Sequence, residues 1–296
     1  MNKDYIKLHL IVFVLGFTAI LGNLISVSPI SVVFFRTLIA SVSLFLFLKY
    51  KKVSIKLPFA DVKMLLFVGF LLGIHWLCFF GSARLSTVSV SLVCFSTTSF
   101  FTSVLEPFIK KTRINYTDLL LGLIAIVGVG LIFKFETDYK AAILIGVLGA
   151  FLAALFSIYN SNLTTRFSSS VIGFYELGGA FLTILISLPF FVGFSVVTNV
   201  DFMIKSNDLL WILILSLVCT VYPYTQMISL LRKIPVFTIN LSLNMEPIYG
   251  IVMAYLIFGE KEKMSLEFYI GAFLVIGSIF VQPFLKQKNL SISEEV

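Results

Sequence analysis

PVFTINLSLNMEPIYGIVMAYLIFGEKEK, residues 235–263, decides the fold. Pro235 to Phe258 is almost wholly apolar. Arg232-Lys233 precedes it, and the charged run Gly259-Glu260-Lys261-Glu262-Lys263 closes it. A helix rises about 1.5 Å per residue, so about 20 apolar residues cross the hydrocarbon core of a bilayer. The stretch has that length, and it shows none of the polar–apolar alternation of a membrane strand. Its one carboxylate, Glu246, stands near the middle and is followed by Pro247.

Nine more stretches of this kind lie outward from it, at roughly 6–25, 29–48, 63–84, 87–108, 117–134, 141–161, 170–195, 208–231 and 266–285. Turn and charge signals separate them. Pro29 opens the second, Lys49–Pro58 follows it, and Lys110–Asn115 divides the fourth from the fifth. The whole composition agrees: 59% hydrophobic, 12% charged, with a mean hydropathy of +1.04. Soluble domains carry about twice that share of charge. A soluble enzyme, a disordered chain and a disulfide scaffold are thereby excluded. The expected fold is an all-α membrane protein of ten transmembrane helices, with no room for a soluble domain. The first stretch lacks a small-residue cleavage motif and is expected to be retained. Cys78, Cys94 and Cys219 sit far apart in apolar stretches and read as packing residues.

The net charge of +7 fits cations flanking the spans rather than a nucleic-acid partner. With the N-terminus placed in the cytoplasm, fifteen lysines and arginines fall inside, six outside, and Arg36 within a span. Both termini are therefore expected to be cytoplasmic.

The chain also repeats itself. Ser82-Ala83-Arg84-Leu85 opens a segment ending in Gly122 and Gly128; Leu230-Leu231-Arg232-Lys233 opens one ending in Gly271 and Gly277. Val32-Val33-Phe34-Phe35-Arg36 aligns with Ile172-Gly173-Phe174-Tyr175-Glu176. Five spans per half is an odd number, so the second half enters the bilayer from the other side. Such inverted repeats build many secondary transporters, with the substrate near the midplane. The expected division is a first five-helix repeat over 1–138, a second over 139–288, and a polar tail over 289–296.

On these residues the chain resembles the EamA-type transporters of the drug/metabolite transporter superfamily. The resemblance is carried by Met245-Glu246-Pro247, by Gly259-Glu260 after an apolar run, by Gly271 and Gly277, and by Phe35-Arg36 followed by Ala40. The first half departs from the pattern: Thr98-Ser99 stands in place of Glu246-Pro247, and Lys111-Thr112 in place of Gly259-Glu260. The resemblance implies a carrier of the cytoplasmic membrane, commonly an exporter of amino acids or other small metabolites.

Polar groups inside a bilayer are costly and mark function or pairing. Counted along the spans, His75 and Trp76, then Ser96 and Thr98, then Tyr222 and Tyr224 around Pro223, then Asn244 and Glu246 fall near one level. They are the candidate substrate-binding residues. Each has a plainer reading: hydroxyls can bond back to their own helix, Asn240 and Asn244 can glue helices together, and Pro223 can be a static kink. Arg36 and Glu176 are expected in opposite leaflets, unpaired, each facing its own vestibule, anchoring its own half or serving in coupling. Glu106 and Lys110 read as a pair at a helix end. Gly69, Gly73, Gly146 and Gly149, with Ala150, Ala153 and Ala154, read as close helix packing.

The function expected is a secondary transporter of a small metabolite, most simply an amino-acid or metabolite exporter. A drug-efflux carrier is the alternative within that class; an intramembrane enzyme or a scaffold is the alternative outside it. No metalloprotease, serine-hydrolase or phosphate-loop motif is present, and two histidines make a poor metal site. No cofactor is expected. The expected partners are a small-molecule substrate and the lipid bilayer, with the proton as candidate coupling ion and a homodimer as candidate assembly.

Overall fold

A computed structural model describes residues 3–135, 137–193, 204–259 and 265–274, with positions 277 and 281. The tail over 289–296, the charged run over 260–263 and the end of the tenth stretch lie outside the described residues. Helices account for nearly all the rest: α1 (Lys3–Leu24), α2 (Pro29–Tyr50), α3 (Phe59–Leu85), α4 (Val88–Phe95), α5 (Thr98–Lys110), α6 (Tyr116–Phe135), α7 (Lys140–Leu163), α8 (Ser169–Gly193), α9 (Ser206–Ser216), α10 (Tyr222–Leu230), α11 (Val236–Leu243) and α12 (Glu246–Phe258). Among the described residues, eight helical stretches are long and apolar enough to cross a membrane. To these α6, 20 residues long, adds a further apolar helix, and 266–274 is helical.

Local chemistry sets the ends. Ser28 caps α2, its side chain accepting from the Ser31 N–H, with Pro29 in the first turn where a missing N–H costs nothing. Thr87 caps α4 by accepting from the Val90 N–H. Asn115 does the same for α6 through Thr117 and Asp118. Lys111, with φ 54, closes α5 in the left-handed conformation.

Three of the long spans are interrupted. The fourth breaks between α4 and α5 at Ser96-Thr97; the ninth breaks between α11 and α12 at Asn244-Met245. The breaks fall at the repeat offset seen in the sequence, Ser96 against Asn244 and Thr98 against Glu246. The broken spans lie against each other, α4 on α12 and α5 on α11. Asn244 Nδ2 donates to Ser99 Oγ at 3.1 Å, and Asn240 Nδ2 to Thr102 Oγ1 at 2.8 Å. The eighth span is widened by a π turn, Leu217–Val221, between α9 and α10. Pro223, just beyond it, lacks an N–H and stands in the first turn of α10, directly after the wider turn.

α3 is the hub, packed on both α7 and α8, while α2 packs on α8 and α9 and α1 lies against α9, α10 and α12. Small residues make this possible. A Cβ on Gly69 would stand 2.4 Å from the Glu176 carbonyl oxygen, and one on Gly146 would stand 2.8 Å from Cys94 Cβ. At one end of the bundle Arg166 pairs with Asp61 at 2.6 Å, Lys233 with Asp4 at 3.0 Å, and Lys7 with Gln226. Glu106 and Lys110 pair at 2.8 Å. At the other end Arg84 Nη2 donates to the carbonyls of Ile25 and Val27, and Asp208 accepts from the Ser26 N–H and hydroxyl. The loop between α1 and α2 is thus held from α3 and α9 together.

Candidate functional site

A cavity of about 100 Å³ lies inside the bundle, walled by α1, α2, α3, the last residue of α4, α7, the π turn, α10, α11 and the first residue of α12. By this measure one water needs about 10–15 Å³, so the space takes several waters or a small polar head group. Much of its wall is aromatic. His75 lies among Phe95, Phe156 and Phe79, with ring centroids 5.4, 5.5 and 6.3 Å away.

Arg36 is 2% exposed, deep on α2. Its Nε donates to Thr220 Oγ1 at 2.6 Å, where the π turn brings that hydroxyl forward. Thr220 in turn donates to the Leu215 carbonyl at 2.6 Å. The guanidinium lies 3.9 Å from the centroid of the Trp76 ring and 5.4 Å from that of Phe80. Stacking of this kind offsets part of the cost of burying a cation. Nη1 is left buried with no hydrogen-bond partner. On the same cavity wall stands Glu246, 4% exposed at the start of α12. Among the described residues it forms no ion pair within 4.0 Å. One enclosed space therefore holds a guanidinium with an unused donor and a carboxylate, with a gap between them.

His75 Nδ1 bonds the Gly149 carbonyl at 2.9 Å. A carbonyl only accepts, so the proton is on Nδ1 and Nε2 is left as an acceptor. Tyr224 lines the cavity, edge-on to Trp76 at 6.3 Å. Its hydroxyl donates to Glu176 Oε2 at 2.5 Å.

Four of the eight residues expected to bind substrate line this cavity: His75, Trp76, Tyr224 and Glu246. The other four do not. Ser96 and Thr98 donate to the Leu92 and Phe95 carbonyls of their own helix, as short hydroxyls in a dry helix do. Asn244 is spent on Ser99. Tyr222 is 54% exposed and points out of the bundle, two residues around the helix from Tyr224. Equal depth brought these residues to one level, but depth does not fix the face of the helix.

Arg36 also departs from expectation. It opens onto no vestibule of its own and bonds across to Thr220 in the second half. Glu176, bonded to Asn160 and Tyr224, stays within its own half. Arg36 and Glu176 form no ion pair among the described residues. The cavity also takes in Thr18, Asn160 and Thr220, which the sequence reading passed over. Thr18 and Thr220 read as ordinary helix hydroxyls. Asn160 sits in a polar run near the end of α7, where a polar side chain usually means an interface.

A solved structure, described only as the crystal structure of a protein, shares this fold. It superposes with a TM-score of 0.70 at 14% identity, over 96% of this chain and 99% of the other. A search of curated protein sequences finds no match. The model of the EamA-like transporter family matches residues 4–134 and again 140–282. With two repeats of that family covering nearly its whole length, and a largely apolar cavity holding a few buried polar groups among apolar helices, the chain belongs to the EamA-like transporter family.

Proposed function

We propose that the chain is a secondary transporter that exports a small zwitterionic metabolite of amino-acid type by alternating access about this cavity. The observation that carries the reading is the separated pair of Arg36 and Glu246. The unused Nη1 of Arg36 offers a donor to a carboxylate, and Glu246 offers acceptors to an ammonium. Charge-assisted bonds of this kind are the strong ones. The rings of Phe79, Phe95, Phe156 and Trp76 supply an apolar wall for a side chain. A lipophilic drug would leave both buried charges unpaired, so the pair favours a zwitterion over the efflux alternative.

In this reading the chain crosses the bilayer ten times as two inverted five-helix halves, with both termini in the cytoplasm. The matched breaks of the fourth and ninth spans support the inversion. Half-helix ends and freed carbonyls near the midplane are how inverted-repeat carriers build their sites. The membrane expected is the cytoplasmic one, and oligomeric assembly adds nothing to the cavity, which one chain encloses.

Counterflow in proteoliposomes tests the function. Vesicles loaded with one unlabelled amino acid at a time should accumulate the labelled form transiently. Glu246→Gln and Arg36→Gln should each abolish this while reconstituting normally. An enzyme or a scaffold would give no exchange with any of the twenty, and uptake of lipophilic cations in their place would move the reading to drug efflux.

A further inference from the structure

Behind the cavity wall sits a second carboxylate that the substrate pair does not use. Glu176 on α8 is fully buried. Both of its donors converge on one oxygen: Tyr224 OH at 2.5 Å and Asn160 Nδ2 at 3.1 Å meet at Oε2. Its other oxygen, Oε1, is buried with no partner, and so is Asn160 Oδ1. Two orphaned acceptors thus belong to two side chains already joined by their other ends. A carboxylic acid and a carboxamide can share two bonds in a ring, amide N–H to acid carbonyl and acid O–H to amide carbonyl. The first of these bonds is present. The second needs a proton on Oε1, and one proton in that bond would satisfy both orphans together. Buried polar atoms without partners are rare enough that such a coincidence calls for a cause.

We propose that Glu176, Asn160 and Tyr224 form a proton-binding site, with the proton carried on Glu176 Oε1 and donated to Asn160 Oδ1. The surroundings supply no rival. α8 packs on α2, α3 and α10 and meets α7 through Asn160. Away from their ends, the titratable groups of those helices are Arg36, His75, Cys78, Tyr159 and Tyr224, and Cys78 lies against Gly149 of α7. Arg36 is held at Thr220 and Trp76, His75 at Gly149, and Tyr159 edge-on to Phe67. Only Tyr224 bonds Glu176. On α8 itself, Tyr175 donates away, to the Ile55 carbonyl.

Asn160 and Tyr224 line the cavity, whereas Glu176 stands behind them. Tyr224 also leans on Trp76, which carries Arg36. A substrate that engages the Tyr224 hydroxyl withdraws a donor from Glu176, which tightens its hold on the proton; when Tyr224 returns to Oε2 the proton is favoured to leave, and cavity water receives it. Use of the site for proton-coupled exchange rests on the carrier reading above; the proton itself does not.

The probe is therefore the proton. Infrared difference spectra of the full chain in lipid, recorded between acid and alkaline pH, should show a carboxylic-acid carbonyl band that titrates. It should vanish in Glu176→Gln, persist in Glu246→Gln, and shift in Asn160→Leu, which removes its acceptor. Glu176→Gln supplies a fixed N–H where the acid supplied O–H, so it should fold, and its melting midpoint should lose the fall with rising pH that is expected of the parent. Identical spectra and identical melting profiles for the parent and Glu176→Gln would overturn the site, whatever counterflow gives. Absence of any exchange in the parent, with the band present, would instead overturn the carrier reading and leave the site standing.

Discussion

Alanine at Gly69 and alanine at Gly81 should have opposite effects, although both glycines lie on α3. In an open helical position, glycine to alanine stabilises by roughly 0.5–1 kcal/mol, because glycine gives up more backbone freedom on folding. Gly81 is such a position: a Cβ there meets nothing within 4 Å. At Gly69 the added carbon would stand 2.4 Å from the Glu176 carbonyl oxygen and 2.9 Å from Gly179 Cα. Ordinary contact begins near 3.4 Å, and both obstacles are backbone, which cannot rotate aside. α3 and α8 must part by about 1 Å, and overpacking of this sort costs about 1–3 kcal/mol. After the helix-propensity gain is subtracted, Gly69→Ala should be destabilised by up to about 2 kcal/mol. At roughly 2–4 °C per kcal/mol, the two variants should melt several degrees apart, on opposite sides of the parent. The assay is thermal unfolding in detergent followed by tryptophan fluorescence, with Trp76 and Trp211 as reporters. The obstructing carbonyl belongs to Glu176, so counterflow by Gly69→Ala should fall as well. A Gly69→Ala protein that melts at or above the parent would refute the close packing of α3 on α8.

Three further outcomes are expected. Thr220→Val removes the acceptor from Arg36 Nε, and a lost bond to a charged group costs about 1.5–3 kcal/mol; counterflow affinity should drop by about tenfold or more, and a parental affinity would show that Thr220 does not hold the guanidinium. Tyr222→Phe should leave exchange unchanged, since that side chain faces outward, while Tyr224→Phe should impair it; the reverse ranking would place the cavity on the other face of α10. Reporter fusions after Gln287 and within 197–201 should read cytoplasmic and external respectively, and an external signal from the first would sink the ten-span topology together with the inversion.

Eight of the expected spans and the close-packing glycines were legible in the sequence because length and small side chains act along one dimension. A 24-residue apolar run has few alternatives in water or lipid. The site was half legible. His75, Trp76, Tyr224 and Glu246 were found because large polar groups at depth must be satisfied somewhere. Tyr222 was grouped with them because depth is counted along the helix and facing is not, and the π turn before Tyr222 resets the facing of everything after it. Arg36 was given to a vestibule because its depth was counted at its Cα. The long guanidinium, laid over Trp76, reaches further than its Cα position suggests. Asn160 was hidden by its place near a helix end, and only the fold puts it beside Glu176.

The helices of the two repeats are interleaved. α3 is sandwiched by α7 and α8, α2 rests on α8 and α9, and α1 lies among α9, α10 and α12. A half-chain made alone would therefore present the faces of its longest helices bare. The same interleaving constrains the motion. Tilting residues 3–135 as a block against the rest would tear α3 from both of its principal neighbours, so the bodies that move during a transport cycle must each be drawn from both ends of the sequence.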